Sequence, residues 1–136
     1  MPLEERFMIK MDDEKTQYDS ILSSVKKAIG IPESHTEFDV DIKMHINSTF
    51  AKLYQMGVGP RDKVFSIEDD SATWNDFIAN RDKIEMVRSF MYIEVRLMFD
   101  PPSASLLTSL QERQKEYEWR LTVAGSEYDE EETNAG

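Results

Sequence analysis

The chain contains no cysteine, which excludes disulfides, thiolate metal sites and a thiol nucleophile, and is compatible with a reducing compartment. Histidine is almost as scarce. His45 falls at the margin of an apolar helical stripe, His35 falls in the loop before it, and neither has a ligand partner at helical spacing. No helix carries a His/Glu metal motif, no glycine-rich loop could cradle a phosphate, and no Ser–His–Asp spacing is present. These absences lead to the expectation of no catalysis, no cofactor and no bound metal. The start of the chain has no apolar run like that of a signal peptide, and no stretch approaches the ~20 apolar residues of a membrane span. Positive charge is also short: 16 Lys and Arg stand against 27 Asp and Glu, for a net charge of −11. That balance argues against wrapping a phosphate backbone, and no helix has the basic face that a helix-turn-helix recognition helix needs.

Helical spacing is what the chain has in quantity. A helix turns about 100° per residue, so residues 82–102 can be placed on a wheel directly. One stripe holds Ile84, Val87, Met91, Val95 and Met98; an adjoining one holds Met86, Phe90, Ile93 and Leu97. Glu85, Arg88, Ser89, Tyr92 and Arg96 are left as the wet side. A helix so apolar around its girth must be covered on more than one side, which makes it the central element, at about 82–100. Pro101 and Pro102 stop it. Glu94 lies between the stripes, where a carboxylate needs a basic partner or an opening to solvent.

Four further segments follow the same period. Residues 19–29 place Tyr18, Ile21, Leu22, Val25, Ala28 and Ile29 on one stripe, with Ser23, Lys26 and Lys27 opposite. Asp19 is the expected N-cap, and Gly30 and Pro32 close the segment. A second helix, 39–56, carries Ile42, Ile46, Thr49, Phe50, Leu53 and Met56, with Asp39 and Asp41 as capping carboxylates. A short third helix, 72–79, has Ser71 or Asp70 as its cap and Trp74, Phe77 and Ile78 for packing. The fifth, 105–123, aligns Leu106, Leu107, Leu110, Tyr117, Leu121 and Ala124, while Trp119 points the other way beside Glu112 and Lys115.

The irregular stretches carry the candidate contacts. Residues 57–70 break the helical pattern with Gly57, Gly59 and Pro60, then place Val64, Phe65 and Ile67 in a brief apolar patch that could form a short strand pair. Two readings stay open: a connection folded back onto the core, or a projecting loop that touches another subunit. Residues 1–16 are either a mobile terminus or an arm that orders through Phe7 and Ile9. Residues 125–136 are acidic and polar, and should be disordered when unbound. Within them Tyr128 is one apolar anchor, followed by Asp129, Glu130, Glu131 and Glu132. The expected partner-contact residues are therefore Phe65, Ile67, Trp119, Tyr128, Asp129, Glu130, Glu131 and Glu132. At 136 residues, the chain should form one small all-α domain of about five helices over 17–124, with flexible arms at both ends.

The segments KAIGI, FDVDIKMHINSTFAKLYQMGVGP, FSIEDDSATWNDFI, VRLMFDPP and EYEWRL occur in that order. Together they resemble the head–tail connector (adaptor) proteins of tailed bacteriophages and prophages, across residues 21–124. The N-terminal extension and acidic tail depart from the usual short version. The resemblance implies a structural virion protein, made in the host bacterial cytoplasm, that assembles as a homo-oligomeric ring of about a dozen copies. It further implies docking beneath the portal protein, contact with a tail-side neck protein, and a channel through which DNA passes without sequence-specific binding. A portal-gripping C-terminal arm is implied too, and no catalytic or cofactor-binding residue. Composition alone leaves another class open: an acidic DNA mimic that inhibits a basic DNA-processing partner.

Overall fold

The computed structural model describes residues 20–78 and 81–135, with side-chain surroundings for 20–78 and 83–123. Five helices follow one another: α1 (Ile21–Ala28), α2 (Asp39–Gln55), α3 (Trp74–Phe77), α4 (Arg81–Phe99) and α5 (Ala104–Ala135). The all-α expectation holds. Among the described residues the only β pairing is an isolated antiparallel bridge between Ser20 and Thr73, so no strand pair forms near Val64 and Ile67. The expected arm at 1–16 lies outside the described residues.

Helix α4 is central, as its wheel requires: α1, α2 and α5 all pack against it. Val87, Phe90, Met91 and Val95 are fully buried and meet Ile21, Val25, Ile42, Ile46, Phe50, Leu53 and Leu121 in one core. The second stripe is less covered than its composition suggests, with only Phe90 wholly inside and Met86, Ile93 and Leu97 half-buried. Met98, in the last turn of α4, is exposed. The supposed wet side also needs correction. Tyr92 sets its ring edge-on to Trp74 at 6.3 Å. The Arg88 Nε donates to the Tyr92 hydroxyl at 3.3 Å, and Arg88 is half-buried. Glu85 alone among the five stands fully out.

Helix ends follow local chemistry, with several revisions. Ser20, not Asp19, caps α1, its hydroxyl accepting from the Ser23 amide at 3.3 Å. Thr73, not Ser71 or Asp70, caps α3. Its hydroxyl accepts from the Asp76 amide at 3.3 Å while the Asp76 carboxylate accepts from the Thr73 amide at 2.9 Å, a reciprocal box that starts the helix at Trp74. Asp39 opens α2 without capping it; its carboxylate pairs instead with Lys26 at 2.9 Å. After α1, the Gly30 amide donates to the Lys27 carbonyl at 3.2 Å and the Ile31 amide to that of Lys26 at 2.9 Å. That double closure needs a left-handed residue, and Gly30 has φ 85°. The same pair of bonds closes α2 through Gly57 and Val58, directing Val58 into the core.

Lys26 departs furthest from the wheel. Placed opposite the apolar stripe by its spacing, it is 3 % exposed. The loop between α1 and α2 folds over it, and its ammonium donates to the carbonyls of Glu33 (3.1 Å) and His35 (2.7 Å) beside the Asp39 pair. Ser23, also assigned to the wet side, is buried with its hydroxyl donating to Glu33 at 3.0 Å. These polar contacts hold the loop to α1 alongside Ile29 and Ile31, which pack against the core. Helix α5, in turn, continues through Ala135 where an irregular acidic arm was expected. Residues 125–135 contain no proline, and elongating a helix already nucleated costs far less than starting one.

Candidate interface surfaces

The connection from α2 to α3 belongs to the core. Asn47 holds its middle like a piece of backbone, donating through Nδ2 to the Ile67 carbonyl at 3.1 Å and accepting from the Ile67 amide at 2.8 Å. Ile67 is buried, and the Phe65 ring packs against Phe50 and Phe77 with centroids 4.9 and 5.3 Å apart. Arg61 lies over the Tyr54 ring at 4.4 Å and donates to the Tyr54 carbonyl at 3.0 Å, fastening the start of the loop to the end of α2. Of the two open readings, the folded-back connection is the one these contacts support. Phe65 and Ile67 are therefore internal packing residues in the subunit, and Val64 is the residue of that patch left at the surface.

The polar network around Glu94 joins three helices. Its carboxylate takes the Lys52 ammonium at 3.4 Å from α2 and the Gln114 amide at 2.8 Å from α5. Gln114, which the wheel did not single out, is buried and also donates to the Phe90 carbonyl at 2.9 Å. Lys52 reaches Glu118 at 3.9 Å and sits over the Phe90 ring. Glu94 has thus found the basic partner it needed, and the groove beside it is bounded by Leu97, Gln111, Gln114, Lys115 and Glu118. The network sets the register of α5 on α4. It offers no nucleophile, and each charged member is occupied by a neighbour.

Two apolar pairs face outward. On α5, Trp119 is 68 % exposed and Val123, one turn on, is also exposed. Their side of the helix is opposite the one through which Leu121 and Gln114 enter the core, as the spacing around Trp119 implies. On α2, Val40 and Met44 are 66 % and 65 % exposed. The sequence signal for this second pair was present: two apolar residues four apart, lying off the stripe of Ile42 and Ile46. Leu106, by contrast, was assigned to the core face of α5 and is exposed near the helix start. His45 faces the Phe99 ring at 6.4 Å, as a packed residue. Tyr128, Asp129, Glu130, Glu131 and Glu132 lie on the helical backbone of α5; their side chains fall outside the described ones.

Among the described residues no group of three or more His, Asp or Glu side chains could hold a metal ion. No helix among them is long and apolar enough to cross a membrane. Asp69 is held below its ordinary value of 3.8, first by the Ser71 hydroxyl and then by the Ser71 amide, which both donate to it. Asp69 organises a turn; nothing beside it suggests catalysis.

A helical subunit with no reactive cluster and unpartnered apolar pairs on two helices is suited to assembly. The sequence model of the phage connector protein family matches residues 21–128. The chain belongs to that family. A structural connector role in a phage particle follows, and the family is one of structural proteins rather than enzymes. No curated protein and no solved structure matches the chain. The matched region begins with α1 and takes in every described helix, running into the acidic turns of α5.

Proposed function

We propose that this connector is a subunit of a closed ring that joins the portal of a phage head to the tail and extends the DNA channel. The family match over residues 21–128 carries the reading. The two outward apolar pairs support it, because a ring needs two different contact faces on each subunit. The net charge supports it as well. At −11 per chain, a ring of about a dozen subunits would hold on the order of −130 charges, and a wall of that sign repels DNA and lets it slide. The partners are further copies of the chain, the portal protein, and a tail-side neck protein. DNA passes without sequence-specific contact, and the assembled location is the neck of the virion.

The C-terminal turns of α5 are proposed as the portal contact. Tyr128 supplies an apolar anchor, and Asp129, Glu130, Glu131 and Glu132 an acidic run suited to basic residues on the portal. A chain truncated after residue 124 should keep its thermal stability, since it retains Leu121, the last buried residue of α5 among the described ones, while its co-sedimentation with portal weakens. Truncated chain that co-sediments as well as the full chain would move the portal contact elsewhere. Salt should loosen the full-length attachment if the acidic run is exposed in the complex.

A further inference from the structure

We propose that successive subunits meet through the Trp119–Val123 pair of one and the Val40–Met44 pair of the next. The inference rests on the ring reading and names the faces that build it. Each pair sits on the outer side of its helix, away from the residues that helix sends into the core. The two patches lie at separate places on the subunit. Helix α5 follows the Phe90–Glu94–Leu97 side, through Gln114 and the groove it lines. The two helices approach each other where Lys52, late in α2, reaches Glu94 and Glu118, whereas the start of α2 that carries Val40 and Met44 lies by the end of α4, where Phe38 and His45 meet Phe99. A contact between two unlike patches at separate places repeats from copy to copy without using either patch twice, which is the condition for a chain of subunits that can close.

Charge selects a second copy over another occupant. In a protein with 27 acidic residues against 16 basic ones, subunits repel on average, so a contact is favoured where the acidic excess is locally relieved. Around Trp119, α5 is balanced rather than acidic, with Arg113, Lys115 and Arg120 against Glu112, Glu116 and Glu118. Arg120 and Glu116 satisfy each other at 2.7 Å, but Lys115, one turn before Trp119, makes no ion pair among the described residues. The start of α2 is acidic. Glu37 and Asp41 are exposed there, and Asp41, between Val40 and Met44, has no cationic partner among the described residues. Lys115 of one copy facing Asp41 of the next completes both.

Size agrees with this use. Burying one tryptophan and three aliphatic side chains covers on the order of 400 Å², well short of the ~1,600 Å² of a stable free-standing contact. Such a contact holds weakly in isolation and becomes secure only when every subunit makes it on both sides and a template gathers the copies.

The absence of cysteine makes the test clean. Subunits carrying Ser48→Cys, one turn beyond Met44, are mixed with subunits carrying Thr122→Cys, beside Val123, and oxidised at high concentration. The expected product is the mixed disulfide dimer, well above the share that random pairing gives, and a chain with both substitutions should form a ladder of multimers. Lys115→Glu in the Thr122→Cys subunit should lower the mixed product several-fold, and Asp41→Lys in its partner should restore it. Dimers in random proportions, or a mixed product indifferent to both charge changes, would overturn the proposal. Rings seen on portal alongside random cross-linking would sink this pairing and leave the connector reading standing. Enriched cross-linking without portal attachment would do the reverse.

Discussion

Replacing Gly59 with alanine should cost far more stability than the same change at Gly30, although the two backbones are nearly alike. Gly30 has φ 85° and Gly59 φ 95°, so an L side chain is strained at both. The strain is worth about 1–2 kcal/mol, and the lower entropy of the unfolded alanine chain returns roughly 0.4–1. For Gly30 that is the whole account, because a methyl group there would meet nothing within 4 Å. The expected loss for Gly30→Ala is therefore about 0.5–1.5 kcal/mol. At Gly59 the methyl would be driven into the Phe77 ring. That ring is buried and set 4.8 Å from Phe50 and 5.3 Å from Phe65, so it cannot swing aside without disturbing the aromatic cluster. Overpacking of this kind adds about 1–3 kcal/mol, for a total of about 2–4. Urea denaturation of the two variants and the parent measures the gap. The double variant Gly59→Ala with Phe77→Leu should lose at least about 1 kcal/mol less than the sum of the singles, since the smaller side chain makes room. Equal losses for the two glycines, or strict additivity in the double variant, would refute the close packing of this loop on Phe77.

Two further perturbations address the buried polar contacts. Lys26→Met should destabilise by about 3 kcal/mol in the same assay, because it leaves the Asp39 carboxylate without its ion-pair partner and two loop carbonyls without their donor; a loss below about 0.5 would mean that the α1–α2 loop does not depend on it. Asp69, whose folded-state pKa is lowered, contributes stability that is present above the ordinary value of 3.8 and lost as pH falls through the lower folded value. Asp69→Asn should therefore flatten the acid limb of the stability–pH curve below about pH 4 and leave its shape near neutrality unchanged, and an unaltered acid limb would contradict this.

How far the fold was legible depends on whether a residue's environment is made by its own helix. The central stripe of α4 and the stripe of α2 could be read because helical period alone decides which side chains share a face, and Val87, Met91, Val95, Ile42, Ile46 and Phe50 are indeed inside. The stops at Gly30, Gly57 and Pro101 were equally local. Lys26 and Ser23 were misplaced because a loop distant on the wheel returns to cover them, and a lysine in the last turn of a helix looks like an ordinary complement to its dipole. Gln114 was missed for the related reason that a single amide on an apolar face gives no signal until its partners, Phe90 and Glu94, are known. Phe65 and Ile67 were offered as contacts because an apolar patch in a loop has no period, and only the Asn47 clamp tells which way it turns. At the surface, Trp119 was visible by being opposite its own stripe. Val40 and Met44 obeyed the same logic on α2, where they lie off the stripe of Ile42 and Ile46.

The central claim is that this chain closes into a ring beneath a portal. Electron microscopy of the full-length protein mixed with its portal tests it most directly. The account predicts a single closed ring of about a dozen subunits, continuous with the portal channel, with α2 of each subunit against α5 of its neighbour. Isolated monomers or dimers scattered on the portal, or no attachment at all, would contradict it.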